Sequence, residues 1–430
     1  MKKVGAKNIF VLSTLGCKVN QYETQALREQ LLRGGLCEDR KAAADVYVIN
    51  TCTVTHHADR ESRRLIRHAL CSNPQAAIIV TGCLVEKDAS EIRTISDRIR
   101  IVPNQHKHHI MDFLKNTQNA KRKTQNAKYT PLKISDFKDH ERAFIKIQDG
   151  CDNFCSYCKV PIVRGRSRSR SPASIKKEVR LLLEGGFKEI VLTGICLGDY
   201  RYREAGLADV LKALEGIKAG FRIRLSSIEP QLVSNKLLNV LQSPKICPHL
   251  HIPLQSGDDA VLKKMNRRYS RSDFLALVRK VKRKIKDIAI TTDVLLGFPG
   301  EKEINFKHTV SCLQEILPLR THIFSFSPRE YTKAFNFYPR VEASVVKERM
   351  AFVKEVTAQC SLKFRRQFLN KRLTVLLESS TQRENGVLCG YTENYIRTIV
   401  EGAEAGDISA LLPVELRSVD IDRSYARVAR

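Results

Sequence analysis

The sequence has no long apolar run and comparatively few acidic residues. No stretch of eighteen consecutive apolar residues occurs, which excludes a transmembrane helix. The 46 Asp and Glu residues are outnumbered by 74 Lys and Arg residues, which gives a formal net charge of +28. Such an excess indicates a polyanionic partner, and nucleic acid fits better than a membrane. The length of 430 residues predicts two or three domains.

We expect no leader at the N-terminus, where Met1–Lys3, the apolar stretch and Gly16-Cys17 resemble a lipoprotein signal only faintly. The apolar stretch from Ile9 to Leu15 is at the short limit for a secretory signal, and the sequence after Cys17 continues as a folded pattern. We therefore expect a cytoplasmic protein. In a reducing compartment, the 13 cysteines are expected as metal ligands or buried thiols rather than disulfides.

Three cysteines have the spacing C-x3-C-x2-C at Cys151, Cys155 and Cys158. In a loop after a predicted strand (143–149), they can hold three corners of a four-iron cluster and leave the fourth iron open. A zinc site would need a fourth ligand, but no further Cys or His lies close by, and the next cysteine is Cys196. The spacing favours an iron–sulfur cluster over zinc.

Residues 9–102 alternate between apolar strands and amphipathic helices, which predicts a parallel sheet with helices on its faces. Cys17, Cys52 and Cys83 each follow the end of a predicted strand. The carboxyl ends of parallel strands share one edge, so these thiols could converge on a second cluster. The alternative is three separately buried cysteines, since free Cys is often buried.

Residues 104–140 lack hydrophobic periodicity, which predicts a linker or a surface excursion. From 143 to about 330, six strand–helix units predict a partial (β/α) barrel, with its site in the loops at the carboxyl ends of the strands. Several residues in those loops are candidates for cofactor binding: Thr193, Gly194, Glu229, Gln255, Asp293 and Gly297. Isolated glycines could equally mark ordinary turns.

The C-terminal part has short strands separated by turn residues, which predicts a small antiparallel barrel. Barrels of this kind often bind nucleic acid through aromatic and basic side chains. The candidate RNA-binding residues lie here and in two arginine-rich runs: Arg164, Arg166, Arg168, Arg170, Arg365, Arg366, Lys371, Arg372, Tyr391 and Arg397. Core packing is an equal alternative for the tyrosine.

The motifs Thr14–Glu23, Gly150–Cys158, Arg164–Arg170 and Thr292–Gly300, with the small barrel, resemble the radical S-adenosylmethionine methylthiotransferases. The resemblance implies an N-terminal domain (1–115), a linker (116–140), a radical SAM domain (141–370) and an RNA-binding TRAM-like domain (371–430). It also implies two 4Fe-4S clusters. Cys151, Cys155 and Cys158 would hold the one that binds S-adenosyl-L-methionine, and Cys17, Cys52 and Cys83 the auxiliary one.

The sequence departs from that family at two places. Cys196 stands where relatives usually carry His or Asn, and the 327–334 loop lacks the usual Gly and Pro.

The segment Gly16–Glu23 is most similar to the branch that acts on N6-threonylcarbamoyladenosine beside the tRNA anticodon. That substrate adds a carboxylate and a hydroxyl to adenosine, whereas isopentenyladenosine adds only an apolar chain, so a basic cleft can distinguish them. The resemblance also implies an electron donor, such as a flavodoxin or ferredoxin, and a sulfur source. The alternatives are a methylthiotransferase for isopentenyladenosine or for a ribosomal-protein aspartate, and a non-catalytic iron–sulfur RNA-binding protein.

Overall fold

The structure is a computed structural model that describes residues 8–40, 43–115, 130–379 and 388–429. The chain divides into two compact units. The first consists of Met1–Asp136 with Lys159–Arg166, and the second of Phe137–Cys158 with Ser167–Arg430. The second unit thus contains both the central domain and the C-terminal barrel. The four-part division remains a prediction from the sequence.

The first unit is built on an open parallel sheet, as predicted. Its strands are β1 (Ile9–Thr14), β2 (Cys37–Glu38), β3 (Val46–Thr51), β4 (Ala77–Gly82) and β5 (Ile99–Val102). They lie in the order β2-β1-β3-β4-β5, and neighbouring strands are parallel. The helices of this unit are α1 (Lys18–Arg33), α2 (His56–Ser72), α3 (Ala89–Ile95), α4 (Ile110–Leu114) and α5 (Val160–Arg164).

Strand β3 lies in the middle of the sheet, and both of its faces are covered. All six of its residues are buried. On one side Ile49 packs with Ile66 of α2, and on the other Val48 packs in the cluster that contains Leu27 of α1. A strand buried on both faces is typical of a parallel sheet between helices.

Part of the predicted linker packs onto α1. The Tyr22 hydroxyl donates to the Leu132 carbonyl (2.7 Å), and the Ser135 amide donates to Glu29 Oε1 (2.8 Å). Residues 130–136 are therefore part of the first unit rather than a connector. The rest of the linker, residues 116–129, lies outside the described residues.

The second unit begins with ten strands and seven helices. The strands are β6 (Arg142–Lys146), β7 (Gln148–Asp149), β8 (Arg168–Ser169), β9 (Glu189–Thr193), β10 (Arg201–Tyr202), β11 (Ala205–Gly206), β12 (Arg222–Leu225), β13 (His249–His251), β14 (Ala289–Leu296) and β15 (Arg320–Ser325). The helices are α6 (Pro172–Glu184), α7 (Leu207–Glu215), α8 (Asn235–Val240), α9 (Asp259–Lys264), α10 (Arg271–Lys284), α11 (Glu303–Ile316) and α12 (Ala343–Arg366). These counts refer to residues 137–158 and 167–370, all of which the structure describes.

Six of these strands form the predicted partial barrel. β6, β9 and β12 pair in parallel, as do β13, β14 and β15. A parallel bridge between Ser227 and His251 joins the two sheets. The six parallel strands therefore follow one another in sequence order, and the prediction of a partial (β/α)6 barrel is confirmed.

The C-terminal strands close into a barrel, but it is not wholly antiparallel. The strands are β16 (Arg372–Glu378), β17 (Leu388–Thr392), β18 (Arg397–Glu401), β19 (Leu411–Val419) and β20 (Ser424–Val428). They form a closed ring in the order β16-β17-β18-β20-β19, in which only the β18–β20 pair is parallel. A closed ring with an odd number of strands cannot alternate direction throughout, so one parallel pair is required.

The barrel shares a core with the central domain. Phe364, Phe368 and Leu319 lie in the same buried cluster as Leu373 and Val414 of the barrel. The barrel is therefore packed against the central domain through a shared core and is not a loosely tethered module.

Candidate active site

The Cys151–Cys158 loop follows β7 at the carboxyl end of the central sheet. Its three cysteines are partly exposed. Ser156 anchors the middle of the loop, because its amide donates to the Met265 carbonyl (3.0 Å) and its hydroxyl to the Lys264 carbonyl (2.8 Å). The Ala334 amide donates to the Ser156 carbonyl (2.8 Å), so the atypical 327–334 loop supports the cysteine loop.

Arg267 links the cysteine loop to Glu229. Its Nη1 lies 3.3 Å from Cys155 Sγ and 3.3 Å from Glu229 Oε1, and its Nη2 pairs with Glu229 Oε2. Burial raises the pKa of the Cys155 thiol, although the charge of Arg267 opposes this. Sequence reasoning missed Arg267, because nothing in its local sequence marks it as a partner of a cysteine 112 positions away.

Cys196 lies beside Cys151. Asn153 Nδ2 donates to Cys196 Sγ (3.5 Å), and the Cys196 amide donates to Gln148 Oε1 (2.9 Å). A hydrogen bond between the two thiols raises the pKa of Cys196 and lowers that of Cys151. The residue that departs from the family pattern therefore adjoins the loop directly.

The other predicted cofactor residues also lie at the carboxyl ends of the strands. Gly194 has no room for a side chain, because an added Cβ would lie 2.8 Å from Gln148 Oε1. Gln255 adopts a positive φ of 61°, and its amide donates to the Asp293 carbonyl (2.8 Å). Gly297 also has a positive φ, of 74°. Thr193 is buried at the end of β9.

In the first unit, Cys17, Cys52 and Cys83 follow β1, β3 and β4, which are adjacent in the sheet. A Cβ added to Gly16 would lie 3.0 Å from Cys52 Sγ, which shows how closely the first loop approaches the second. Burial raises the pKa of the Cys52 thiol to about 11, and the negative charges of Cys83 and Cys17 raise it further. Binding to a metal would be needed to deprotonate Cys52 near neutral pH.

Arg164 lies in a buried polar network behind these cysteines. Its Nε donates to Cys83 Sγ (3.3 Å), and its Nη1 pairs with Glu23 Oε1 (2.5 Å). Lys107 also pairs with Glu23 and donates to Asn50 Oδ1 (3.1 Å). One carboxylate is thus shared by two cationic side chains, which leaves positive charge next to the sulfurs. Each cysteine set has a cationic hydrogen-bond donor beside one of its sulfurs, Arg267 beside Cys155 and Arg164 beside Cys83. Such donors suit the thiolate ligands of an iron–sulfur cluster, so both sets fit one.

Three of the predicted RNA contacts, Arg164, Arg170 and Arg365, are buried in the structure, and for these the prediction is wrong; Tyr391 is half-buried. Arg164 is buried as described, Arg170 is buried against Glu178, and Arg365 donates to the carbonyls of Asp420, Ile421 and Arg423. The ring of Tyr391 stacks on Tyr395 (4.8 Å between centroids) and lies under the Arg142 guanidinium (4.7 Å). The three arginines are therefore internal, whereas an RNA contact by Tyr391 stays a prediction.

The remaining predicted RNA contacts are accessible. Arg166, Arg366, Lys371 and Arg372 are exposed, and Arg397 is half-buried. Arg168 is one-third exposed and pairs with Asp149 at 3.3 Å.

Two family descriptions match the chain. Residues 145–313 match the Radical SAM superfamily, and residues 9–103 match an uncharacterised family designated UPF0004. A cobalamin-binding radical S-adenosylmethionine methyltransferase from Kitasatospora setae has a similar fold, with a TM-score of 0.57 at 14% identity over 76% of this chain and 77% of that one. Residues 145–313 thus form a Radical SAM domain, which is typical of enzymes that use a 4Fe-4S cluster and S-adenosyl-L-methionine.

Relatives in sequence identify the family to which the chain belongs. The threonylcarbamoyladenosine tRNA methylthiotransferase of Thermotoga maritima is 36% identical over 93% of each chain. A tRNA-2-methylthio-N(6)-dimethylallyladenosine synthase of Endomicrobium trichonymphae is 30% identical over 91% of this chain and 93% of its own. The chain belongs to the radical S-adenosylmethionine methylthiotransferase family. No helix in the described residues is long and apolar enough to cross a membrane.

Proposed function

We propose that the protein converts N6-threonylcarbamoyladenosine next to the tRNA anticodon to its 2-methylthio derivative. The observation that carries this proposal is the higher identity to the threonylcarbamoyladenosine enzyme (36%) than to the dimethylallyladenosine enzyme (30%). Methylthiotransfer to isopentenylated adenosine is the second candidate, because that relative also covers nearly the whole chain. A ribosomal-protein aspartate is the remaining alternative substrate.

Cys151, Cys155 and Cys158 are proposed to hold the cluster that binds S-adenosyl-L-methionine. Held there and given one electron by an external donor, S-adenosyl-L-methionine would supply the radical chemistry that activates an aromatic C–H bond, which acid–base chemistry cannot do, with methionine as the leaving group. Glu229, held beside Cys155 by Arg267, is suited to accept hydrogen bonds from an amine or hydroxyl of the cofactor. Thr193, Gly194, Gln255, Asp293 and Gly297 would line the same cleft.

Cys17, Cys52 and Cys83 are proposed to hold an auxiliary 4Fe-4S cluster. Their adjacent strand ends and the cationic Arg164 beside Cys83 support this role. Changing the three to Ala should lower the iron content from about eight to about four atoms per chain. Changing Cys37, Cys71 and Cys389 instead should leave it unchanged. Full iron in the first variant would contradict the auxiliary cluster.

The tRNA is proposed to lie against Arg166, Arg168, Arg366, Lys371, Arg372 and Arg397. The net charge of +28 supports a polyanionic substrate. We further propose that the enzyme works in the cytoplasm, where it would draw on an electron donor such as a flavodoxin or ferredoxin and on a sulfur source.

The substrate is tested with the anaerobically reconstituted enzyme, S-adenosyl-L-methionine, a chemical reductant and a sulfide source. Two tRNAs are offered, one bearing N6-threonylcarbamoyladenosine and one bearing dimethylallyladenosine. We expect the methylthio nucleoside from the first alone, detected by mass spectrometry after digestion. Product from the second alone would replace the proposal with the second candidate.

A further inference from the structure

The central barrel contains a group of three side chains of types that can bind a metal ion, separate from the cysteines. His251, Asp293 and His322 come from the neighbouring strands β13, β14 and β15. In the parallel register Asp293 lies opposite His322, and His251 lies opposite Thr291, two residues before Asp293. Since side chains two apart face the same side of a sheet, all three point the same way.

The ligand atoms of this trio are close enough to share one ion. His251 Nε2 and His322 Nδ1 each lie 3.1 Å from the same oxygen, Asp293 Oδ1. All three ligand atoms lie within 4.8 Å of one another. A tetrahedral ion with bonds of about 2.0–2.1 Å would place its ligand atoms about 3.3 Å apart. Both nitrogen–oxygen distances therefore lie within a few tenths of an ångström of this spacing, and the two histidine nitrogens lie no more than 4.8 Å apart.

A supporting hydrogen bond orients one of the ligands. The other ring nitrogen of His251, Nδ1, lies 2.9 Å from Thr291 Oγ1, which in turn lies 2.9 Å from His249 Nε2. Metal-bound histidines are commonly held in this way through their second nitrogen. His249 and Thr291 are buried, so this arrangement is fixed by the core of the barrel.

The exposure of the trio also suits a cation. The side chains of His251, Asp293 and His322 are 12%, 21% and 48% exposed. The site is therefore held by the barrel on one side and open to solvent on the other.

We propose that His251, Asp293 and His322 form a binding site for a divalent transition-metal ion with open coordination positions. Two imidazoles and one carboxylate are the ligands found in Fe²⁺ oxygenases and in catalytic zinc sites. The Asp293 carbonyl accepts the Gln255 amide, so the ion would lie next to the proposed cofactor cleft. The proposal does not depend on which nucleoside is the substrate. Without an ion, the same three groups would simply share hydrogen bonds.

The test uses the full-length, cluster-loaded enzyme and Zn²⁺ alone. The wild type and an Asp293→Asn/His322→Asn double variant are dialysed anaerobically against Zn²⁺, and zinc, iron and sulfide are counted in the same samples. We expect one more bound zinc per chain in the wild type than in the double variant. Unchanged iron and sulfide would show that zinc has not displaced cluster iron.

His308→Asn is the matched control. His308 also pairs with an aspartate, Asp258, at 2.7 Å, but that pair belongs to no group of three metal-binding side chains found among the described residues. Its variant should keep the extra zinc. Equal zinc in the wild type and the double variant would overturn the proposal. If the double variant loses its clusters, His322→Ala alone, at a half-exposed position, gives the same comparison and should also lose the zinc.

Discussion

Buried ion pairs lie behind Cys83 in the first unit. Arg164 has no exposed side-chain surface, and its partner Glu23 is only 2% exposed. A buried charge is costly unless it is paired, and removing Arg164 would leave Glu23 with Lys107 but without its second cationic partner. The same arginine donates to Cys83 Sγ, so one side chain supports both the fold and the proposed auxiliary cluster.

Arg164→Gln should lower the free energy of unfolding by more than the roughly 1 kcal/mol of a surface pair, because Glu23 loses one of its two buried cationic partners and keeps Lys107. Arg33→Gln is the control. Arg33 pairs with Glu29 on the same helix as Glu23, but its side chain is 69% exposed. Its loss should cost at most about 1 kcal/mol. Urea denaturation measures both, and similar losses in the two variants would contradict this account.

The sequence could not assign Arg164 correctly. The alternation of Arg and Ser from 164 to 170 is typical of a solvated, phosphate-binding loop, and Arg166 is indeed exposed. Whether a given arginine is buried depends on a carboxylate elsewhere in the chain, which for Arg164 is 141 positions away. By contrast, cysteines at strand ends could be identified, because parallel strands place their carboxyl ends along one edge.

Among elements, β12 holds the C-terminal barrel in place. Arg222 donates to the carbonyls of Thr374 and Tyr391, and Arg224 to those of Thr392 and Glu393. Both guanidinium groups are fixed by the buried carboxylate of Glu189 on β9. Strand positions were predictable from apolar runs, but this interface was not, because it joins side chains to backbone carbonyls.

Glu189→Gln should remove part of the acid sensitivity of folding. Burial alone would raise the pKa of Glu189, but Arg222, Arg224 and Arg142 lower it well below its usual range. A carboxylate with a depressed folded-state pKa contributes stability above its unfolded pKa of about 4.3, and the contribution is lost as pH falls. The wild type should therefore lose up to about 1.4 kcal/mol per pH unit more than the variant below about pH 5.

Denaturant unfolding at a series of pH values measures that difference in slope. Glu61→Gln is the control, because Glu61 pairs with Arg64 on the surface of α2. Its slope should match the wild type. A Glu189→Gln variant with the wild-type slope would show that the buried carboxylate does not govern the acid response.

For the whole molecule, the net charge of +28 is expected to attract a polyanion such as RNA. Because the barrel shares a core with the central domain, deleting it would expose that core. The role of the barrel in RNA binding is better tested by substituting charged side chains at the start of its first strand and just before it. Removing Arg366, Lys371 and Arg372 together, as glutamines, should weaken tRNA binding and lower the slope of log affinity against log salt by about one per lost phosphate contact.

Arg283→Gln is the control for that measurement. Arg283 is exposed on α10, which is not part of the barrel. Its substitution should leave the slope of log affinity against log salt nearly unchanged. Filter binding at several salt concentrations distinguishes the variants. An unchanged slope in the triple variant would remove these three residues from the RNA surface.

The most direct measurement is nucleoside mass spectrometry of tRNA from cells that lack the gene, complemented with either the wild type or Cys151→Ala. We expect 2-methylthio-N6-threonylcarbamoyladenosine to disappear in the deletion, to return with the wild type and to stay absent with Cys151→Ala. The prenylated methylthio nucleoside should be unaffected throughout. Loss of the prenylated form with the threonylcarbamoyl form intact would contradict the account.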